Sequence, residues 1–345
     1  MPEPILQVRG LAKHYPVERG IIFKRAIGHV RALDGVDLDL DPGETLGIVG
    51  ESGCGKSTLA RLLVAIERPT RGVVRYQGRD LAAMPAAELK RARREIQIVF
   101  QDPYASLDPR MTVADLVREP MEIHPEAVPR RDRPARVIEL LERVGLGASD
   151  ARRYPHQFSG GQRQRIGIAR ALALRPRVLI CDEPVSALDV SIQAQVLNLL
   201  LTLRDELHLS CVFISHDLSV VRHVADRVSV MYLGRVVETG AEDEIYERAT
   251  HPYTQTLLAA VPAPNPRLRG ASTPIPIIGE IPSPLQVPGG CRFRTRCWRA
   301  QPDCAAREPE LIPRTDSPHP SACLYAAPFD PATVASTEPQ GDAIP

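Results

Sequence analysis

The sequence of 345 residues lacks the features of several specialised classes of protein. It has no excess of charge of one sign, because 43 lysines and arginines face 42 aspartates and glutamates and the net charge is +1. This balance excludes a strongly basic nucleic-acid coat protein and an acidic disordered tail protein. No apolar run approaches the ~18 residues of a membrane span, and the N-terminus lacks the apolar core of a signal peptide. We therefore expect a soluble cytoplasmic protein.

Cysteine is also scarce, and the seven cysteines are too few and too scattered for a disulfide scaffold. This predicts a reducing, intracellular setting. The chain shows no internal repeat, and its length accommodates two or three domains of ordinary size. Proline, by contrast, is concentrated near the end, since residues 261–345 hold 17 of the 33 prolines. We therefore expect the organisation of the chain to change near residue 261.

Before residue 261, short apolar segments alternate with amphipathic helical ones. The apolar segments with the length of strands include 45–49, 96–100, 178–181 and 211–215. This alternation predicts an α/β fold with a mainly parallel sheet covered on both faces. Residues 102–172 show helical patterning, clearest at 135–144, and little strand signal, so we expect a helical insertion between two strands. The Pro-, Ala- and Thr-rich end, from about Ala326, predicts disorder.

The strongest motif is a phosphate-binding loop, G-x-x-x-x-G-K-[ST], between the strand at 45–49 and a helical stretch at 59–66. Its residues are Gly50, Glu51, Ser52, Gly53, Cys54, Gly55, Lys56, Ser57 and Thr58. The glycines let successive N–H groups point at one anion, and the helix N-terminus adds its positive dipole end. We expect Lys56 to reach the β- and γ-phosphates of a nucleotide and the Ser57 hydroxyl to ligate Mg²⁺. The alternative is a glycine-rich turn that merely precedes a helix.

Two carboxylates follow the predicted strand at 178–181 and fit the second half of a nucleotide site. Asp182 is expected to hold Mg²⁺ through water, and Glu183 to orient or deprotonate the attacking water. A solvated acidic pair at a strand end is a common alternative. The phosphate loop upstream favours the catalytic interpretation.

A second helix start that could bind an anion precedes the helical run at 166–174. Its residues are Ser159, Gly160, Gly161 and Gln162. A serine and two glycines at a helix N-terminus can form an anion-binding site. One chain does not need two such sites for a single γ-phosphate. The economical interpretation is that this turn closes over nucleotide held by another subunit. With this signature the chain resembles the ATP-binding cassette (ABC) ATPases, and the resemblance covers nearly the whole chain.

The resemblance implies roles for four further residues. Gln101 resembles the Q-loop glutamine, which contacts the metal or water and hinges the helical subdomain. Asp189, in Ser-Ala-Leu-Asp, resembles the D-loop aspartate, which makes contacts across the ATPase dimer. His216 resembles the switch histidine, which can donate to the γ-phosphate and would join Glu183 and Gln101 in catalysis. Tyr15 would stack on adenine through its π-face.

The resemblance also implies the fold and the cofactors. The fold is that of a P-loop NTPase ABC cassette, with a RecA-like parallel-sheet core, a helical subdomain and a small Cys-rich C-terminal domain. The expected core is 1–101 and 172–260, the helical signature subdomain 102–171, the C-terminal domain 261–325 and the disordered tail 326–345. The implied cofactors are ATP and Mg²⁺, with Ser57, Gln101 and Asp182 as the groups that hold the metal.

A basic stretch at 17–31 narrows the resemblance to one subfamily. As a whole it is similar to the F-type ATPase subunit of bacterial dipeptide and oligopeptide importers, whose D-type partner lacks this insertion. Segments 98–110 and 251–255, the latter reading His-Pro-Tyr-Thr-Gln, are similar to that subfamily too. A solvated basic loop is the alternative for the stretch at 17–31.

The importer resemblance implies partners and a location. The partners are a second ABC ATPase subunit, D-type in a heterodimer, two transmembrane permeases and, indirectly, an extracytoplasmic peptide-binding protein, with no nucleic acid. The chain would lie at the cytoplasmic face of the bacterial inner membrane as a peripheral subunit. Peptide cargo is expected, and nickel, heme, glutathione or sugars stay open. A soluble ABC ATPase acting on DNA or ribosomes is the rival, but one cassette, no sustained heptads and a net charge of +1 disfavour it.

Four cysteines near the end form a separate motif with the spacing C-x5-C-x6-C-x18-C. They are Cys291, Cys297, Cys304 and Cys323. Structural zinc sites usually pair cysteines at C-x2–4-C, whereas four thiolates on an irregular loop suit a [4Fe–4S] cluster better. Four arginines between the cysteines would offset its negative charge, namely Arg292, Arg294, Arg296 and Arg299. The matching module of peptide importers is associated with such a cluster in some members; zinc or four reduced thiols are the alternatives.

Overall fold

The computed structural model describes residues 3–19, 25–260, 275, 279–314 and 317–329. The strands in these residues are β1 (Leu6–Arg19), β2 (Arg25–Leu40), β3 (Thr45–Val49), β4 (Arg71–Tyr76), β5 (Arg79–Asp80), β6 (Ile96–Val99), β7 (Val178–Asp182), β8 (Ser210–Ser215), β9 (Arg227–Tyr232), β10 (Arg235–Ala241), β11 (Ile312–Arg314) and β12 (Ser317–Ser321). The α-helices are α1 (Lys56–Leu63), α2 (Ala86–Glu95), α3 (Pro103–Ser106), α4 (Val113–Ile123), α5 (Arg133–Arg143), α6 (Gly160–Ala171), α7 (Val190–Leu207), α8 (Leu218–Val224), α9 (Glu242–Arg248) and α10 (Pro252–Ala259).

An eight-stranded sheet forms the centre of the fold, in the order β11-β12-β10-β9-β3-β8-β7-β6. The strands from β9 to β6 are parallel, and β10, β12 and β11 continue the sheet in antiparallel fashion. Every residue of β3 and β7 is buried, as expected for strands covered on both faces. The predicted parallel core is confirmed, and the carboxyl ends of β3, β8 and β7 meet at one edge.

A second, antiparallel sheet, in the order β2-β1-β4-β5, goes beyond the predicted fold. β1 and β2 pair over most of their length, from Leu6 opposite Leu40 to Arg19 opposite Arg25. Buried residues in these strands are interrupted by exposed polar ones, so no continuous apolar run marks them in the sequence. The described residues of the basic stretch at 17–31 belong to β1 and β2, and its residues 20–24 lie outside the described residues.

The predicted helical insertion lies between β6 and β7 and contains α3, α4, α5 and α6. α5 agrees with the helix expected at 135–144. The Thr112 hydroxyl accepts a hydrogen bond from the Asp115 N–H at 3.2 Å and caps the start of α4. Leu116, Leu140 and Ile166 are buried between the helices, so the insertion has apolar contacts of its own.

The C-terminal segment, defined here as the described residues from 279 to 329, extends the central sheet. β12 pairs with β10 through Ser321 and Glu238, and β11 pairs with β12. The predicted disordered tail lies outside the described residues from residue 330 onward. No helix in the described part of the chain is long and apolar enough to cross a membrane.

Candidate nucleotide site

The phosphate loop connects β3 to α1, which begins at Lys56, three residues before the helical stretch inferred from the sequence. Gly55 has a φ of +108°, and a Cβ there would lie 2.2 Å from the carbonyl oxygen of Ala32, so only glycine fits. The buried Lys56 ammonium donates to the carbonyl oxygens of Gly50, at 2.7 Å, and Glu51, at 3.1 Å. The lysine is therefore folded back over its own loop.

Asp182 lies beside the start of α1. It is the last residue of β7, and the Ser57 hydroxyl donates to its Oδ1 at 3.1 Å. Burial raises the pKa of the Asp182 carboxyl above its ordinary value, against the opposing effect of the Ser57 hydrogen bond. A cation bound nearby would favour the ionised form of the Asp182 carboxyl. The Ser57 hydroxyl and the Asp182 carboxylate are oxygen ligands, which a hard cation such as Mg²⁺ prefers.

Glu183 is the centre of a second group of side chains. The Gln101 amide Nε2 donates to Glu183 Oε2 at 2.9 Å, and His216 Nδ1 lies 3.2 Å from the same oxygen. The Lys56 ammonium lies 3.6 Å from Glu183 Oε1. Glu183 has a φ of +46°, a backbone conformation uncommon for a residue other than glycine. A buried carboxylate held by an amide and an imidazole can accept a proton from a water molecule.

Lys56, Ser57, Gln101 and Glu183 line one pocket of about 280 Å³. Asp182 lines a second pocket, which shares Ser57 and Gln101 with the first. The lining residues of the first pocket in the described part of the chain are Val30, Ala32, Ser52, Gly53, Gly55, Lys56, Ser57, Thr58, Gln101, Glu183 and Pro284. None of the signature residues at 159–162 is in this set, and neither is Tyr15. The Tyr15 hydroxyl donates to Glu67 Oε2 at 2.6 Å, and its stacking on adenine stays a prediction.

The signature turn forms the N-terminus of α6. The Ser159 hydroxyl accepts from the Gln162 N–H at 3.3 Å, and Gln162 Oε1 accepts from the Ser159 N–H at 3.0 Å. This capping box leaves the N–H groups of Gly160 and Gly161 as the donors that the helix start can offer to a ligand. A Cβ on Gly161 would lie 2.3 Å from Ile192 Cγ2, so α6 and α7 pack closely at this point.

The D-loop lies next to the signature turn. Asp189 is exposed at the start of α7, and the side chain of the adjacent Val190 is 82% exposed. A Cβ on Gly160 would lie 3.3 Å from Leu188 Cδ2, which places the signature and the D-loop in contact. The two motifs therefore share one surface of the chain.

The four cysteines of the C-terminal motif line one small pocket as free thiols. Burial raises the pKa of the Cys297 and Cys323 thiols to about 12. Among the described residues, no group of three or more histidine, cysteine or acidic side chains is arranged to hold a metal ion. The four thiols are the ligands that an iron–sulfur cluster takes, but they are not arranged as a preformed metal site.

The expectation that four arginines offset the charge of a cluster is wrong for two of them. Arg292 donates to Asp34 Oδ2 at 2.6 Å, and Arg296 donates to both carboxylate oxygens of Glu51. Each is buried against a carboxylate, the partner that a buried guanidinium requires. Arg294 and Arg299 do line the thiol pocket.

Sequence reasoning missed the contacts that three residues make at the phosphate loop or its pocket. Arg296 binds Glu51 of the phosphate loop, the Tyr253 hydroxyl accepts from the Glu51 N–H at 2.9 Å, and Pro284 lines the pocket. Tyr253 lies in the His-Pro-Tyr motif and Arg296 lies between the cysteines, but neither pattern assigns a contact with Glu51. The contacts join residues about 200 or more positions apart, which local patterns do not reveal.

Comparisons with known proteins agree with this geometry. The family model "ABC transporter" matches residues 33–186, and the model "Oligopeptide/dipeptide transporter, C-terminal region" matches residues 237–304. The solved dimer of the cassette MJ0796 bound to ADP and phosphate is 30% identical, with a TM-score of 0.60, and covers 69% of this chain and 98% of its own.

Two curated relatives cover nearly the whole chain. The oligopeptide transport ATP-binding protein AppF of Bacillus subtilis is 50% identical over 94% of this chain and 98% of its own length. The dipeptide transport ATP-binding protein DppF of Escherichia coli is 52% identical over 90% of this chain and 92% of its own length. The chain therefore belongs to the family of ABC transporter ATP-binding proteins that includes AppF and DppF.

Proposed function

We propose that the chain is the ATP-hydrolysing subunit of an ABC importer that powers uptake of dipeptides or oligopeptides through partner permeases. The observation that carries this is the convergence of Lys56, Ser57 and Glu183 at one pocket, with Asp182 accepting a hydrogen bond from Ser57. The names and near-full-length similarity of the relatives support the peptide cargo. Nickel, heme, glutathione and sugars stay alternatives, because an ATPase subunit of this kind does not touch the cargo.

ATP would bind with its phosphates at the loop between β3 and α1. The loop N–H groups and the start of α1 would receive the phosphate oxygens, and Lys56 would turn from its own loop carbonyls toward the β- and γ-phosphates. Ser57, Gln101 and Asp182 would hold Mg²⁺, which neutralises phosphate charge when bound. Tyr15 would stack on adenine, with its hydroxyl held by Glu67.

Hydrolysis would use Glu183 as the general base. Glu183 accepts a proton from water while the water oxygen bonds to the γ-phosphorus. The bond from that phosphorus to the β–γ bridging oxygen breaks, and its electron pair leaves with ADP. Gln101 and His216 both contact Oε2 of the Glu183 carboxylate, which supports their roles in orienting the base and the γ-phosphate.

The signature turn would act on nucleotide held by a second cassette. Ser159, Gly160, Gly161 and Gln162 lie outside the pocket of their own chain, so ATP would bridge two subunits that meet head to tail. ATP bound in this way favours closure, since it contacts both surfaces only in the closed dimer. The exposed Asp189 and Val190 beside the turn support a contact surface there.

Contacts between α3 and α6 would couple hydrolysis to a permease. α3 begins two residues after Gln101, and the Arg163 guanidinium lies 3.8 Å from the centre of the Tyr104 ring. Arg170 donates to the Ser106 carbonyl oxygen at 2.6 Å. A groove of about 620 Å³, lined in part by Gln101, Glu119 and Arg170, lies between the core and the helical insertion. We place the permease contact in this groove.

The partners we propose are a D-type ATPase subunit in a heterodimer, two transmembrane permeases and, indirectly, an extracytoplasmic peptide-binding protein. The subunit would lie at the cytoplasmic face of the inner membrane without binding nucleic acid. We infer the division of the chain that the sequence predicts, with a core at 1–101 and 172–260, a helical subdomain at 102–171 and a C-terminal domain at 261–325. A soluble ABC ATPase acting on DNA or ribosomes stays the rival.

We further propose that Cys291, Cys297, Cys304 and Cys323 hold a [4Fe–4S] cluster, which takes four thiolates. Their shared pocket supports this, with Arg294 and Arg299 at its wall. The full chain, purified without oxygen, should contain about four irons and four acid-labile sulfides. Cys297→Ser should lose them, while Cys211→Ser, in β8, should keep them. Zinc, or no metal, in the parent chain would contradict the cluster.

Substituting the base tests the ATPase assignment directly. Glu183→Gln keeps the shape of the side chain and removes its basicity, so ATP should stay bound and the closed dimer accumulate. Phosphate release should fall by about a hundredfold or more. Glu206→Gln, exposed near the end of α7, is the matched control and should hydrolyse ATP normally. A normal rate in Glu183→Gln would rule out Glu183 as the base.

A further inference from the structure

We propose that the C-terminal segment is part of the ATP site, because its Arg296, together with Tyr253 of α10, positions the phosphate loop through Glu51. This rests on the proposed binding of ATP at that loop. Glu51 occupies a position that the phosphate-loop pattern leaves free, so the pattern itself assigns it no role. Arg296 and Tyr253 are positioning residues in this account, since neither lines the pocket.

Arg296 and Glu51 form a bidentate, hydrogen-bonded ion pair. Arg296 Nη1 donates to Glu51 Oε2 at 2.6 Å, and Nη2 donates to Oε1 at 2.9 Å. The Arg296 side chain is 5% exposed and that of Glu51 is 22% exposed, so water screens the pair only weakly. A bidentate pair fixes the orientation of the carboxylate relative to the guanidinium as well as its distance, which a lysine cannot do.

Tyr253 holds the backbone of the same residue. Its hydroxyl accepts from the Glu51 N–H at 2.9 Å. The Tyr253 ring is fully buried against Tyr232, at 4.7 Å between ring centres, and Phe293, at 5.3 Å, so the hydroxyl cannot move away. Glu51 is therefore fixed at its side chain by the C-terminal segment and at its backbone by α10.

The charge of the pair matters because Glu51 sits in a loop that would bind a polyanion. An unpaired carboxylate there would repel the phosphates, and the Arg296 guanidinium neutralises it. The C-terminal segment also reaches the pocket directly. Pro284 lines it, and the Arg31 N–H donates to the Pro284 carbonyl oxygen at 3.2 Å. Nucleotide affinity should therefore depend on a segment more than 200 residues from the loop in sequence.

Nucleotide binding and steady-state hydrolysis by the full chain test this inference. Arg296→Gln should weaken ATP binding about tenfold and raise KM, with kcat little changed, because a positioned loop helps ground state and transition state alike. Arg296→Lys keeps the charge and should recover part of the loss. Tyr253→Phe removes one hydroxyl and should weaken binding by a smaller factor. Arg307→Gln, an exposed arginine of the same segment, is the control and should match the parent.

A double-mutant cycle shows whether the effect passes through Glu51. If it does, the double variant Glu51→Gln/Arg296→Gln should bind ATP at least as tightly as the single variant with the lower ATP affinity. The inference would be overturned if the losses of ATP affinity in the two single variants multiplied in the double variant, or if Arg296→Gln bound ATP like the parent. The ATPase assignment would stand in either case. A parent chain that binds no ATP would overturn both.

Discussion

Glu183 shows how much of the site depends on contacts between distant residues. Its carboxylate contacts Gln101 and His216, which lie 82 and 33 positions away in the sequence. Glu183 was predicted from the acidic pair that follows a strand, whereas Gln101 and His216 were implied by the resemblance to ABC ATPases. Their mutual contacts follow from the parallel order of β8, β7 and β6, which brings the ends of these strands together. The partners of Arg292 and Arg296 could not be predicted in this way, since no local pattern points to Asp34 or Glu51.

Two glycines of α6 provide a matched test of the signature turn. Gly161→Ala should lower the free energy of unfolding by about 1–3 kcal/mol and reduce hydrolysis, because the new Cβ would meet Ile192. Gly167→Ala meets nothing within 4 Å and should be neutral, or stabilising by up to about 1 kcal/mol. Denaturant unfolding and phosphate release measure both. Equal stability of the two variants would contradict the close packing of α6 on α7.

Buried Glu238 joins three elements of the C-terminal half. It lies on β10, and its Oε1 accepts from the Thr250 N–H at 2.6 Å and lies 2.8 Å from His319 Nε2 on β12. It also accepts from the N–H of His251 at the start of α10. Burial alone would raise the pKa of Glu238, but these hydrogen bonds lower it below its ordinary value. The ionised carboxylate therefore helps to fasten α10, which carries Tyr253, to the sheet.

The lowered pKa predicts a pH-dependent contribution to stability. Glu238→Gln should reduce the free energy of unfolding at pH 7 by about 1–3 kcal/mol. Since the folded-state pKa lies below the ordinary 4.5, this contribution is present above that pH and is lost as the pH falls below it. Denaturant unfolding at pH 7 and pH 4 should show the difference from the parent shrinking. A difference unchanged at pH 4 would contradict the account, and Glu247→Gln, exposed on α9, is the control.

Helices and strands with strong local patterns were predictable, and the antiparallel sheet was not. The strand at 45–49 is a continuous apolar run, and α5 repeats apolar residues at helical spacing. β1 and β2 mix apolar and charged residues because one of their faces is exposed, so their signal is weak. The four cysteines singled out by their spacing line one pocket, and the [4Fe–4S] cluster expected there stays a prediction.

In the function we propose, the molecule contributes one half to each of two nucleotide sites. Its phosphate loop, Asp182 and Glu183 would serve one ATP, and its signature turn, on another face, would serve the ATP of a partner cassette. Contacts from Tyr104 to Arg163 and from Arg170 to Ser106 connect the first site to the helix that bears the second. The C-terminal segment adds Arg296 to the same network, so the family's own C-terminal region belongs to the energetics of ATP binding.

Co-purification from native membranes tests the central claim, that this ATPase drives a membrane importer. The tagged full chain would be recovered from detergent-solubilised membranes and its companions identified by mass spectrometry. The account predicts two multi-span permeases and a second cassette protein, with a solute-binding protein among them pointing to the cargo. Recovery only from the soluble fraction, with nucleic acid or ribosomes, would contradict the importer and favour the soluble rival, while the ATPase chemistry would stand.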